Sequence, residues 1–392
     1  MVGTILEAMT ERPANPIMRV GELLTPPLRE RLRSSADSRH SAIRASRPAR
    51  ATRLYSKDEW VSVILDVRNR GLGRIWQPML VVLLFACGFT PYRMYAADDG
   101  ACEPFEHGKT AFALVLSCLS FLLVFRLNRA AVRHYEARQL CGWVIIHCRD
   151  IALAANATLG PVDQRARDQL CELAVAFPVA LMLHMWGNSD SRADAFASMC
   201  DGVFGDAATL EMVQEAKHRP LTLIELGEVA VHSAFGASPG VRLPDSPMEA
   251  AMYRQLIQSI QGLGVPMGGL ERIQGTPLPY VYVAHLRSFL LLTLCAIPIV
   301  YACDWQWGTI PLSLLIAFAL LGIEAASIDC ERPFSPTPTK NHHDLERFAV
   351  IVSTEVHDML ERSHARLGGS STQPNGAVSS SLKRAGTIYN LS

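Results

Sequence analysis

Several signatures that usually announce an enzyme or a metal domain are missing from this chain. Its ten cysteines include no CxxC pair and no zinc-type spacing, which excludes a zinc knuckle or a dense disulfide framework and leaves buried thiols as the default reading. Formal net charge is zero, so no global field draws in nucleic acid, and none is expected as a partner. No phosphate loop, nucleophile elbow or acid/base pair stands out in the 392 residues; the expectation is therefore no enzyme, no catalytic residue and no cofactor. Strand-type alternation is also lacking through the middle of the chain, which turns the fold class toward all-α. Charged residues are scarce at 19%, and mean hydropathy is +0.16. That balance suits a few membrane spans joined to a sizeable water-exposed part.

What is present is most informative at Phe121–Gly142, FLLVFRLNRAAVRHYEARQLCG, where an apolar helix turns basic without a break. One side avoids arginine; the other collects Arg126, Arg129, Arg133 and Arg138. A membrane boundary explains that switch. Four apolar segments occur in two pairs, at about 75–91 with 110–128 and 283–303 with 308–328. Each is marginal, because about 20 residues are needed to cross a bilayer. The loop inside the first pair carries Asp98, Asp99, Glu103 and Glu106 against Arg93 and Lys109, whereas Arg53, Lys57, Arg68, Arg70 and Arg74 precede it and five arginines follow it. This asymmetry puts both termini and the central segment on the positive side, with membrane lipids as partners.

Residues 1–53 do not read as a folded domain. Between Arg31 and Arg53 there are seven arginines, five serines and one acid, the composition of an organelle transit peptide or a disordered basic arm. Ser56 and Asp58 can cap a helix through Arg70. The soluble part, 130–275 and 335–362, reads as helical: Pro161 opens a helix to about Trp186, Pro220 begins another, and Ser246 caps a third reaching Gly262. Gly187–Gly205 is poorly patterned, and the Ser/Gly-rich residues 363–392 read as a disordered tail.

Five blocks in order then resemble the bestrophin family of anion channels, most closely its plant and algal thylakoid branch. They are LLVFRLN (Leu122–Asn128), ARQLCG (Ala137–Gly142), FPVALMLH (Phe177–His184), ERIQGTPLPYVYVAH (Glu271–His285) and GIEAASIDCERPFS (Gly322–Ser335). The resemblance covers about 54–362 and implies four transmembrane helices in two hairpins, a helical soluble region, and a homopentamer around a central pore. It also implies a neck at three positions of the second helix, here Ser117, Phe121 and Phe125. Their i, i+4, i+8 spacing puts them on one helix face, which suits lining and packing equally. A serine at 117 replaces the usual apolar residue and implies a wider or wetter constriction there. Arg126, Arg129 and Arg133 are expected at the inner mouth, where they attract anions or pair with lipid phosphate or Glu136.

Pro277, Pro279, His285, Glu324 and Glu331 are expected to have structural or gating roles, since an ionisable group at the end of an apolar segment is costly. Ala325 and Lys340 stand where acidic positions are expected, and the lysine disfavours calcium, a hard dication that wants several oxygen ligands. His342, His343, Asp344 and Glu346 make a weak metal cluster, because adjacent histidines on a helix diverge. Cys102 and Cys303 both belong on the acidic-loop side, where a disulfide is conceivable. The functional expectation is passive flux of chloride, with bicarbonate or nitrate as further inorganic anions, across a membrane of thylakoid type in the chloroplast. The alternative is a non-conducting scaffold of the same fold that recruits photosynthetic or carbon-fixing partners.

Overall fold

The computed structural model describes residues 72–95, 108–161, 163–187, 190–200, 203–236, 246–335 and 341–368, and among them no strand occurs. Expectations for residues 1–53, the helix from Ser56, Cys102, Lys340 and residues 369–392 lie outside the described residues. The elements are α1 (Leu72–Tyr95), α2 (Gly108–Thr158), α3 (Gln164–Met185), α4 (Asp190–Cys200), α5 (Ala207–Glu215), α6 (Arg219–Ala234), α7 (Pro247–Gln261), α8 (Gly264–Gly275), α9 (Tyr280–Trp305), α10 (Thr309–Glu331) and α11 (Leu345–Gly368).

The longest element, α2, has 51 residues. It runs unbroken because no proline occurs between Pro104 and Pro161 and its one glycine past the first residue is Gly142; proline would remove a ladder hydrogen bond and clash with the preceding turn. At 1.5 Å per residue it is about 75 Å long, more than twice the ~30 Å hydrocarbon core. One rod therefore serves both the membrane layer and the soluble bundle. The apolar-to-basic switch seen in the sequence falls inside it.

Two cores form along this rod. The membrane-side core joins Ile75 and Val82 of α1, Phe112, Leu119 and Leu123 of α2, Leu286, Leu290, Leu294 and Ile297 of α9, and Ala317, Leu321 and Ala325 of α10. The larger core gathers the lower half of α2 around α3, with α6, α7, α8 and α11 packed outside. Four stretches are long and apolar enough to cross a membrane: Gly73–Tyr95, Gly108–Thr158, Gln164–Met185 and Tyr280–Glu331, the last being α9 and α10 together. Burial separates them. Within its most apolar window α3 is 78% buried inside the protein, against 22% for α1, 22% for α2 and 33% for the α9–α10 pair. A helix already sheltered by protein has no apolar face left for lipid, so α3 is the centre of the soluble bundle and the spans are α1, upper α2, α9 and α10.

Caps account for several boundaries. Asp163 accepts from the Ala166 amide at 3.0 Å, and Ser246 accepts from Glu249 at 3.1 Å; each satisfies an amide that the helix itself leaves without a partner. The proline-led starts differ slightly from expectation. Pro161 lies in the turn before α3, while Pro220 is the second residue of α6. Gly187–Gly205, unpatterned in sequence, contains α4, whose Phe196, Met199 and Cys200 are buried. The boundary expected at 362 falls inside α11, which continues to Gly368. Arg167 of α3, fully buried, holds that end by donating to Ser363 Oγ at 3.2 Å.

Ion pairs brace both ends of the spanning bundle. Lys109 at the head of α2 pairs with Asp304 at the end of α9 at 2.7 Å, and Arg74 at the head of α1 pairs with Asp329 near the end of α10. Asn341 donates to the same Asp329 at 2.9 Å. Cys303 is disulfide-bonded, and the other described cysteines are free.

Candidate functional site

The phase of upper α2 decides which side chains it offers. Phe112, Leu119, Leu123, Arg126 and Ala130 are buried, a stripe at three- and four-residue spacing that faces the other spans. The opposite face carries Ser117, Phe121, Phe125 and Arg129, all exposed within the single chain. Phe121 is 66% exposed and Phe125 62%. Two phenylalanines on a membrane helix that make so little use of their own chain are available to lipid, to a neighbouring copy or to a lumen. Ser117 turns its hydroxyl back onto the Ala113 carbonyl at 2.9 Å, which satisfies its proton within the helix.

Arg126 differs from expectation. Rather than standing at a mouth, it is fully buried. Its Nε donates to Glu324 at 2.6 Å and its Nη2 to Glu331 at 3.2 Å, while Nη1 has no hydrogen-bond partner among the described residues. A guanidinium following directly on Phe125 must point another way, since consecutive helical residues are about 100° apart and Phe125 takes the open face. Burial is tolerable because two carboxylates neutralise it. Its charge is thus not offered to solvent anions.

Glu324 serves two arginines, accepting from Arg126 on one oxygen and from Arg287 Nε on the other at 2.8 Å. Glu331 likewise uses both oxygens, the second accepting the Leu278 amide at 3.1 Å. Leu278 sits between Pro277 and Pro279, neither of which has an amide proton; Glu331 therefore holds the turn between α8 and α9 by the one N–H those three residues offer. Pro279 is the residue before α9, and both prolines are exposed. His285 is exposed as well and stacks on Phe289, ring centroids 6.3 Å apart.

Below the membrane layer, Arg129 remains exposed on the same side as Phe125. Arg133 is half-buried and donates to the Ile273 carbonyl. Glu136 takes Arg272 as its partner, not the arginines of its own helix. Of the expected mouth arginines, only Arg129 is presented to solvent.

The histidines fall into two groups. His343 donates from Nε2 to the His134 carbonyl at 3.0 Å, and the two ring centroids lie 4.2 Å apart. Burial pushes the His343 imidazole down to about 4, so it is held neutral. Among the described residues the set that converges well enough to hold a metal is His184, His218 and Glu271. Sequence spacing hides it, because its members come from α3, the residue before α6, and α8.

Comparison with known proteins follows the same lines. A family model described as bacterial/fungal bestrophin protein matches residues 52–358. A voltage-dependent anion channel-forming protein of Nostoc sp. is 24% identical over 311 residues, covering 79% of this chain and 94% of that protein. One of the same description from Mesorhizobium japonicum is 30% identical over 230 residues, 57% of this chain and 67% of the other. The voltage-dependent chloride channel 2, chloroplastic, of Arabidopsis thaliana is 27% identical over 226 residues, 57% of this chain and 51% of its own length. Among solved structures, a bacterial bestrophin homologue from Klebsiella pneumoniae superposes with a TM-score of 0.60 at 19% identity, over 73% of this chain and 99% of that one.

Proposed function

We propose, since this chain belongs to the bestrophin family, that it is the subunit of a homopentameric anion channel whose lumen is lined by the exposed face of upper α2. The observation that carries this is the exposure of Phe121 and Phe125 opposite a buried stripe of the same helix. Five copies would place rings of phenylalanine around an axis. Such a neck gates by dewetting, and its aromatic edges, which carry the positive end of the ring quadrupole, meet an anion that has shed part of its water. Weak contact also lets the ion leave. Ser117, one turn above Phe121, presents a small side chain whose hydroxyl is already satisfied, so the passage widens there. Arg129, one turn below Phe125, supplies the positive potential at the inner mouth, an effect that fades as the Debye length shortens to about 10 Å at 0.1 M salt.

Chloride is the main permeant ion in this reading, with bicarbonate and nitrate beside it, because an apolar neck discriminates chiefly by hydration cost. Purified protein reconstituted in planar bilayers should pass anion-selective current, and Phe125→Ala should raise conductance or abolish gating. Unchanged current in that variant would remove the neck assignment. We place the channel in a chloroplast membrane of thylakoid type. The support is the Arg/Ser-rich segment ahead of the region matched to the family, together with the two Arabidopsis relatives named as chloroplastic. A fluorescent protein carrying residues 1–53 should be imported and processed by isolated chloroplasts; retention outside would sink the placement.

A further inference from the structure

The histidine pair at the foot of α3 has no part in that reading, and its geometry is that of a chelate. His184 lies in the last turn of α3, His218 caps α6, and Glu271 is in α8. Both imidazoles aim Nε2 at one oxygen of Glu271, at 2.9 Å and 2.7 Å. The three ligand atoms lie within 4.8 Å of one another, and the two ring centroids are 4.5 Å apart. We propose that His184, His218 and Glu271 form a binding site for a zinc-class divalent cation.

The donor set decides the class of metal. Two imidazole nitrogens and one carboxylate oxygen suit zinc and its neighbours, whereas calcium and magnesium want oxygen alone. Bonds of about 2.0–2.1 Å to a tetrahedral centre put ligand atoms roughly 3.3 Å apart. The two N–O gaps open by a few tenths of an ångström to reach that length, while the two nitrogens, within 4.8 Å of each other, close toward it as the ion enters. Side-chain exposures of 21%, 34% and 32% leave one flank open to solvent for entry and for a fourth ligand. Among the described residues the carboxylate pairs with these two imidazoles, while the adjacent Arg272 is taken up by Glu136.

Binding has a local consequence. Without metal, His218 Nδ1 accepts the Leu221 amide at 3.2 Å, which puts its proton on Nε2, the atom that must ligate. That single proton passes through solvent from Nε2 to Nδ1, which frees the Nε2 lone pair for the metal; a protonated Nδ1 no longer accepts the Leu221 amide, and the cap on α6 opens. One capping hydrogen bond is small beside a set of metal–ligand bonds. The metal then joins three separate elements, α3, α6 and α8, and the neighbours of Glu271 on α8, Arg272 and Ile273, both grip α2.

Full-length protein in detergent, stripped with chelator and titrated calorimetrically with zinc, should bind one ion per chain and gain thermal stability. Cobalt as a probe should give the visible bands of a tetrahedral site. His184→Gln, Glu271→Gln and His218→Asn should each weaken zinc by at least about 10–100-fold, the loss that even outer partners of a metal site produce. His218→Asn is the decisive variant, because asparagine still caps α6, and unchanged circular dichroism and elution volume would confirm its fold. Zinc bound equally by all variants would place it elsewhere, and the absence of stoichiometric binding by the unaltered chain would end the proposal. Neither result depends on conductance.

Discussion

Neutralising Glu324 tests what holds α2 in its observed rotation. In Glu324→Gln, fully buried Arg126 loses its shorter carboxylate contact, at 2.6 Å, and keeps Glu331 at 3.2 Å. Breaking a buried pair from one side costs about 3–5 kcal/mol, because the surviving charge stays out of water. Glutamine retains one carbonyl acceptor, which points to the lower end, ~3 kcal/mol. At about 2 °C per kcal/mol for a chain of this size, the thermal midpoint should fall by ~6 °C. Arg287, bound to the same carboxylate, is the internal control: its side chain is 50% exposed and can turn outward, so Arg287→Gln should cost no more than ~1 kcal/mol. Glu331→Gln removes a longer contact and weakens the acceptor for Leu278, for about 1.5–3 kcal/mol. Replacing the whole charged group, Arg126→Met with Glu324→Leu and Glu331→Gln, should destabilise less than Glu324→Gln alone, since neither Arg126 nor Glu331 is left as an unpaired buried charge. Size-exclusion chromatography after graded heating of detergent-solubilised protein reads all four. The order Glu324, Glu331, Arg287 is the claim; an Arg287 effect as large as that of Glu324 would refute it.

Two further outcomes follow from the soluble bundle. Burial holds His343 near 4, below the ~6.5 of a free imidazole, so between those values the unfolded chain binds the extra proton. Stability is therefore full above about pH 6.5 and is lost as pH falls toward 4, by up to ~3 kcal/mol from this site. His342 is shifted down too, chiefly by burial, and adds in the same direction. A His343→Phe chain should show a shallower acid limb in thermal midpoints taken across that range; an unchanged slope would mean the acid limb has another source. At Gly160, a β-carbon would lie 2.5 Å from the Asn156 carbonyl oxygen. That atom is backbone and cannot swing aside, so Gly160→Ala should cost about 1–3 kcal/mol, and a midpoint within ~1 °C of the parent would contradict the crowding.

How much of this is legible in the sequence depends on the range of each interaction. The spans, their pairing and the cap at Ser246 are local patterns, set by runs of apolar residues and by a hydroxyl three residues before an amide. That α2 is one rod is local as well, because proline is missing from its interior. The apolar length of α3 misleads by the same logic: Leu170 to Met185 would pass for a span, and only the wrapping by α2, α6 and α11 shows that its apolar surface is already covered. α4 escapes such a reading because its burial comes from packing against its chain neighbours α3 and α5, which the pattern of its own residues does not announce.

The site divides at the same line. The spacing of Ser117, Phe121 and Phe125 places them on one face, yet leaves lining and packing equal. The opposite face removes packing inside the chain and leaves lumen, lipid and a neighbouring copy as what the phenylalanines meet. Once Leu119, Leu123 and Arg126 are committed inward, Phe121 and Phe125 have to point away from the chain's own core. Arg126 reads as a mouth charge in the sequence because its carboxylate partners are 198 and 205 residues away. The converging histidines are hidden for the same reason, with Glu271 lying 87 residues from His184 and 53 from His218. The long-range charges therefore do for α2 what its periodicity alone does not: Glu324 and Glu331 choose the inward face by choosing Arg126, and the phenylalanines take the face that is left.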